Sequence, residues 1–365
     1  MTPHPERNDR LAAVRDLLRR LKLDGVLVSD RHDVRYLSGF RGDDATVVVG
    51  PSVAIICTDS RFWAQVDEEV QGFDLVKVDS AELMAESVQA LAERSAPGAS
   101  LGFQGSVVSY ADYRALRRRH EGGLRNVGAR LSRLRMVKDA EEIAALRRAA
   151  ALADAALERV VAHGLVGRSE REVAWHIRGE MHTLGAEDES VATIVAGGAH
   201  GAQAHAIPGE RRIARDELVV IDTGARVEGY CSDITRTFAT GKVGGELRRV
   251  YGIVLAAQLA ALAAVRDGAH GQRDVDAAAR AVIVEAGYGE QFGHGTGHGV
   301  GLEIHEGPAL AKTRGDRLRP GMVCTVEPGI YLEGRAGVRI EDTVLVTDDG
   351  CEPLSRFDKE LRVVD

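Results

Sequence analysis

The sequence is short of aromatic residues: only 4% of its 365 positions are Phe, Trp or Tyr, so aliphatic side chains must build its cores. Its four cysteines, Cys57, Cys231, Cys324 and Cys351, form no CxxC pair. Isolated cysteines in predicted strands and turns read as small core residues, which fits a reducing cytosol and excludes a disulfide scaffold. No uninterrupted apolar run approaches the ~18 residues needed to cross a bilayer. The polar opening MTPHPERNDR lacks the apolar core of a signal peptide. The expectation is a cytoplasmic protein with no membrane partner. Positive charge is not in excess either. Against 55 acidic residues stand 47 Lys and Arg, a net charge of −8, which argues against nucleic acid as a partner. One basic stretch, residues 114–138 with Arg117, Arg118 and Arg119, has no interleaved aromatics and reads as a solvated helix face and linker.

What is present is an ordinary globular balance, 44% hydrophobic and 28% charged, over a length that suits two domains. Residues 10–21 place Leu11, Val14, Leu17, Leu18 and Leu21 at helical spacing. The runs GVLVS, ATVVV, VAIIC and DLVKV read as short strands, and residues 81–94 and 110–119 as helices between strands. Near residue 139 the pattern changes to a long amphipathic helix with Ile143, Leu146, Ala150, Ala153, Leu157 and Val160 on one stripe. Asp139 serves as its N-cap, with Glu142 three residues on as in a capping box. Further helices are expected near residues 170–184, 246–266 and 273–286. The domain reading is an α/β domain over 1–130, a linker over 131–138 and a second domain over 139–365.

Four carboxylates of the second domain sit in strand-like apolar runs: Asp222 in LVVIDTGAR, Asp233 in CSDITRTF, Glu327 in TVEPGIYL and Glu341 in GVRIEDTVLV. A single strand carboxylate is ordinarily a surface residue. Four in core-like runs are different, because burying an unpaired charge is costly. A hairpin turn at Glu228-Gly229 sets Gly224 opposite Asp233, with Asp222 on the same face and roughly 7–8 Å away on the diagonal. A turn centred on Gly334 sets Glu327 opposite Glu341, although Pro328 is a place where a bulge could shift the register. Two like charges about 4 Å apart repel by roughly 4 kcal/mol at an effective dielectric near 20. Four converging carboxylates therefore require positive charge among them, and two divalent cations balance them. With His298 as a fifth ligand the pattern points to a dinuclear metal site, of the kind that activates water for hydrolysis.

The glycine-rich segment FGHGTGHGVGLEIHEG holds His294, His298 and His305, and His205 lies upstream in AHAIPGE. Glycines let backbone approach a ligand closely. Three histidines there, with His205, suggest a lined pocket containing one metal ligand and several proton donors around it.

At these residues the chain resembles the pita-bread metallopeptidases, the family of Xaa-Pro aminopeptidases, Xaa-Pro dipeptidases (prolidases), methionine aminopeptidases and creatinase. The resemblance spans nearly the whole chain and rests on RMVKDAEEIAALRRA, GHGVGLEIHE, EPGIY and VRIEDTVLVT. It implies an α+β pita-bread catalytic domain preceded by a smaller α/β creatinase-type domain, which serves oligomerisation and cleft closure in a homodimer. It implies that Asp222 chelates one metal, that Asp233 and Glu341 bridge both, and that His298 and Glu327 complete the second. His205 and His305 resemble the catalytic histidines, His294 the residue lining the proline side of the cleft, and Arg339 a partner of the bridging carboxylates. Glu327 is also the expected proton shuttle. The oxygen-rich ligand set suits Mn²⁺, with Co²⁺, Fe²⁺ or Zn²⁺ as alternatives.

The implied activity is hydrolysis of the bond before proline in Xaa-Pro dipeptides or short peptides, read as a dipeptidase, with the aminopeptidase as alternative. A dipeptidase must recognise the proline carboxylate. In AKTRGDRLRPG, which offers Lys312, Arg314 and Arg317, the position counted back from Glu327 falls on Thr313 instead of an arginine. Arg41 in YLSGFRGDD is the substitute that the sequence suggests. A metal-free amidinohydrolase and a non-enzymatic peptide-binding module of the same fold are the remaining readings, and the intact ligand set argues against both.

Overall fold

The computed structural model describes residues 5–79, 83–94 and 96–365, and the chain divides into two compact units, Met1–Arg135 and Met136–Asp365. In the first unit the elements run α1 (Pro5–Leu21), β1 (Gly25–Val28), α2 (Arg31–Ser38), β2 (Thr46–Val49), β3 (Ala54–Thr58), α3 (Trp63–Glu69), β4 (Asp74–Lys77), α4 (Leu83–Ala92), β5 (Leu101–Phe103), α5 (Tyr110–Arg119) and β6 (Leu124–Asn126). The strands form one mixed sheet in the order β4-β3-β2-β1-β5-β6. The four apolar runs are all strands, and Val47, Val48, Val49, Ile55, Ile56 and Cys57 are buried. The helix expected over 81–94 starts outside the described residues and is seen as α4. Asp30 caps α2 by accepting from the His32 and Asp33 amides, and Gly39 closes it in the left-handed conformation at φ 81°.

The second unit continues with α6 (Ala140–Ala162), α7 (Glu170–Thr183), β7 (Asp188–Glu189), β8 (Ile194–Gly197), β9 (Leu218–Thr223), β10 (Ala225–Val227), β11 (Tyr230–Cys231), β12 (Ile234–Ala239), α8 (Gly245–Ala264), α9 (Ala277–Glu285), β13 (Gly297–Gly299), β14 (Glu306–Ala311), β15 (Arg314–Gly315), β16 (Val323–Val326), β17 (Gly329–Leu332), β18 (Ala336–Arg339), β19 (Asp342–Val346) and β20 (Cys351–Pro353). Asp139 and Glu142 form a reciprocal capping box on α6, worth about 1 kcal/mol. Ser169 and Glu172 do the same for α7. On the predicted stripe of α6, Leu146, Ala150, Ala153, Leu157 and Val160 are buried.

Two expectations change. The helix read over 273–286 opens with a widened turn, Gly271–Asp276, before α9. There Gly271 lies against the Ala309 carbonyl and Asp276 turns inward to Thr296 and Arg280, so tertiary contacts override the helical repeat. The helix α8 is long and apolar enough, by length and composition, to cross a membrane. Here Val250, Tyr251, Val254, Ala257 and Ala261 bury one face of it in the core, together with Gln258, whose amide donates to Asp342.

Candidate metal centre

Two hairpins carry the four carboxylates, and their registers are unbroken. Around Glu228 and Gly229, both at positive φ as a two-residue turn requires, Val227 pairs with Tyr230 and Arg226 with Cys231. Further along, Thr223 pairs with Ile234 and Asp222 with Thr235. The two ladders stay in step, so Gly224 faces Asp233. In the second hairpin the turn centres on Gly334 at φ 68°. There Gly329 pairs with Arg339 and, beyond Pro328, Val326 pairs with Asp342. Glu327 therefore faces Glu341, with no residue inserted at Pro328. The hairpins are stitched to each other: the Glu341 amide donates to the Thr235 carbonyl at 3.1 Å and the Thr343 hydroxyl to the Asp233 carbonyl at 2.7 Å.

This brings the ligand candidates together. One ligand atom each from Asp233, His298 and Glu341 lies within 4.8 Å of the others. His298 Nε2 is 3.2 Å from Glu327 Oε1 and 3.6 Å from Asp233 Oδ2. Its Nδ1 lies 3.1 Å from the Gly299 carbonyl, which sets the ring so that Nε2 faces the carboxylates. Asp222 Oδ2 accepts from Arg339 Nη2 at 2.5 Å. Two buried oxygens, Asp222 Oδ1 and Glu341 Oε1, have no hydrogen-bond partner among the described residues.

The electrostatics are those of a site built around missing positive charge. Burial pushes Asp233 and Glu341 well above the usual carboxylate range. Their neighbours add to the shift: Glu341, Asp222 and Glu327 for the first, Glu327 and Asp222 for the second. Burial also opposes ionisation of Glu327, but the His298 hydrogen bond and charge outweigh it and hold Glu327 at about 2. Two orphaned carboxylate oxygens, two carboxylates penalised by one another and one imidazole nitrogen aimed at them form a donor set that fits two hard or borderline divalent cations.

These side chains line a cavity of about 300 Å³, together with Val191, Ile194, His205, His294, His305, Arg314, Tyr331 and Arg339. Burial lowers the pKa of His294, and its Nε2 lies 2.9 Å from the Tyr331 hydroxyl. The His305 ring packs edge-on to His298 with centroids 4.4 Å apart. Arg339 is the hub of the second hairpin. Besides Asp222 it donates to the Tyr331 hydroxyl (2.7 Å), to Thr235 Oγ1 (3.0 Å) and to the Ala204 carbonyl (3.2 Å). It therefore meets Asp222 directly, whereas the sequence suggested the bridging carboxylates. It reaches Glu341 only through Thr235, whose hydroxyl donates to Glu341 Oε2 at 2.6 Å.

Two arginines that the sequence offers differ in their surroundings. Arg41 lies in the first unit, where its guanidinium meets Glu69 at 2.8 Å and is already neutralised. Arg314, next to the Thr313 reached by counting, stands on β15 and lines the cavity. Among the described residues its guanidinium has no hydrogen-bond or ion-pair partner. Counting along the chain missed it because β14 and β15 form a hairpin in which Ala311 pairs with Arg314. Tyr331, Thr235 and Val191 were also missed. Only Tyr331 had a local signal, its place in the EPGIY run beside the ligand.

Residues 144–348 match the model of metallopeptidase family M24, and residues 10–137 match the creatinase/prolidase N-terminal domain. The uncharacterized peptidase YqhT of Bacillus subtilis is 35% identical over 97% of this chain and 100% of its own length. A solved Xaa-Pro dipeptidase from Bacillus anthracis superposes with a TM-score of 0.92 at 36% identity, covering 98% of this chain and 100% of that one. An X-Pro aminopeptidase from Thermotoga maritima gives 0.86 at 33%, covering 95% and 99%.

Proposed function

Because the chain belongs to metallopeptidase family M24 and carries its creatinase/prolidase N-terminal domain, we propose that it is a dinuclear-metal hydrolase that cleaves Xaa-Pro dipeptides. The observation that carries the dipeptidase reading is the unpartnered Arg314 in the same cavity as the five ligand side chains. A planar guanidinium with free donors binds a carboxylate through two parallel hydrogen bonds, and the terminal carboxylate of a dipeptide is the group that such a site recognises. Arg41, paired with Glu69, is the weaker candidate for that role.

Asp222, Asp233, His298, Glu327 and Glu341 would hold two divalent ions, with Mn²⁺ the best match to one imidazole and four carboxylates. When bound, such ions acidify a water to near neutrality and polarise the scissile carbonyl. The side chains then have separable tasks. Asp233 and Glu341 would be held between the ions, a reading supported by the burial and mutual repulsion that push both carboxyls upward. Glu327 would carry the proton given up by the attacking water to the leaving imino nitrogen as its bond to the carbonyl carbon breaks. His205 and His305, both exposed at the cavity, donate to the oxygen on which negative charge develops. His294, held by Tyr331, and the Ala309 and Ala311 side of the cavity meet the proline ring. The first unit serves dimer formation and cleft closure, and the protein works in the cytoplasm on peptides without nucleic-acid or membrane partners.

The test is a side-by-side assay of Ala-Pro and an Ala-Pro-Xaa tripeptide in Mn²⁺. Cleavage of the dipeptide alone is expected. Preference for the tripeptide makes the protein an aminopeptidase, and cleavage of neither makes it a binding module.

A further inference from the structure

The histidines around the cavity are held in two ways. His294 and His298 have ring nitrogens fixed by Tyr331, by Glu327 and by neighbouring carbonyls. The ring of His205 is exposed and, among the described residues, has no hydrogen bond. Its position is therefore set by its backbone, a segment without regular structure between the short 3-10 turn Gly198–Ala202 and β9. Something must hold that backbone, because a catalytic donor displaced by about 1 Å can lose roughly 100-fold in rate.

Glu170 supplies the hold. It stands in the first turn of α7 and is fully buried. Its Oε1 accepts from the Gly197 amide at 3.0 Å and its Oε2 from His200 Nδ1 at 2.8 Å, with the Gly209 amide at 3.5 Å. All three donors lie on the segment that carries His205. The same turn grips the far end of the segment through backbone bonds: the Glu170 amide donates to the Arg211 carbonyl and the Arg171 amide to the Gly209 carbonyl. A buried carboxylate is tolerated here because it accepts from several donors at a helix N-terminus, with Arg211 Nη1 3.7 Å away. Gly197 and Gly198 lie flat on the Arg211–Glu217 pair. A Cβ at either would come within 2.5 to 2.6 Å of Glu217, and Gly198 also has φ 51°. In the middle of the segment, next to His205, the Ala204 carbonyl accepts from Arg339, the partner of Asp222.

We propose that Glu170 is a positioning residue: its carboxylate clamps both ends of the segment from Gly197 to Gly209 and so places His205 over the metal ligands. The proposal rests on the catalytic assignment of His205 made above. Glu170 does not line the cavity, and its effect on turnover runs mainly through the placement of His205.

Two measurements test it. Amide hydrogen exchange across residues 198–208 reads the clamp itself: Glu170→Gln should accelerate exchange there, and unchanged protection overturns the proposal. A double-mutant cycle on Ala-Pro turnover reads the consequence. Glu170→Gln should lower kcat by roughly 10- to 100-fold with little change in KM, with Mn²⁺ affinity by calorimetry as in the wild type. In a His205→Ala background the same substitution should cost almost nothing further. Additive losses, or loss of Mn²⁺ binding, would mean that Glu170 supports the fold generally, and would overturn the proposal. If Glu170→Gln does not fold, His200→Ala removes one donor from a half-buried site and should repeat the pattern at smaller size; unchanged exchange and kcat in that variant also overturn it. A His205→Ala variant with normal kcat would instead refute the catalytic role of His205, while the exchange experiment still decides the clamp.

Discussion

The two carboxylate hairpins invite comparison, because each contributes one closely compensated and one weakly compensated candidate ligand. In the first, Asp222 is ion-paired with Arg339, while among the described residues Asp233 has no arginine or lysine in ion-pair contact and only the shared His298 imidazole at 3.6 Å. In the second, Glu327 has that imidazole closer, at 3.2 Å, and among the described residues the Glu341 carboxylate has only the Thr235 hydroxyl as a hydrogen-bond partner. The two weakly compensated carboxylates are the two that burial and like charges push upward, and both place an oxygen within 4.8 Å of a His298 nitrogen and of each other. A protein that can place an arginine beside Asp222 leaves Asp233 and Glu341 without one where bridging cations would complete the balance. Arg339 and His298 orient Asp222 and Glu327, and the inner pair, Asp233 and Glu341, is left with the least positive charge, as the proposed metal site requires.

The largest effect should come from breaking the inner pair. Asp233→Ala and Glu341→Ala should each abolish turnover and lower bound metal, measured by elemental analysis. Full activity in either would remove the distinction between inner and outer ligands. Next comes Arg314→Ala, which should raise KM for Ala-Pro by roughly 10- to 100-fold, the size of a lost charge-assisted contact of 1.5–3 kcal/mol. It should change a tripeptide substrate little. Arg41→Ala, which removes one ion pair of Glu69 in the first unit, is the control, and an equal or larger effect there would restore Arg41 as the carboxylate reader. The smallest effect tests the comparison most directly. In chelator-treated protein, Glu341→Gln removes one of the crowded charges and should raise the melting temperature of the second unit by roughly 2–4 °C, the shift expected for about 1 kcal/mol in a domain of this size. Asp222→Asn weakens the partner of a buried arginine and should lower it. Shifts of the same sign would show that the hairpins are not compensated differently.

Much of the site could be read from local rules. Side chains alternate along a strand, and a two-residue turn fixes which residues face each other. Placing turns at Glu228-Gly229 and Gly334 was therefore enough to set Asp233 opposite Gly224 and Glu327 opposite Glu341, as the ladders do. The capping boxes of Asp139 and Ser169 also belong to this short-range grammar, although only the first was read.

The remainder depended on partners that no local pattern connects. Which carboxylate receives Arg339 was settled across 117 residues, where β9 and β18 come together. That Arg314 and not Thr313 lines the cavity follows from the fold of a hairpin, in which Thr313 lies in the turn and Arg314, paired with Ala311, opens β15. Glu170 looks like an ordinary acidic residue in the first turn of a helix, and only the return of the chain at Gly197, His200 and Gly209 makes it a buried clamp. The sequence by itself determined the ligand types, their strands and their opposed registers, because those rest on periodicities of a few residues. The tertiary structure alone decided which charges are compensated and which are left open, because charge balance is set by what lies within a few ångströms in space, however far apart in the chain.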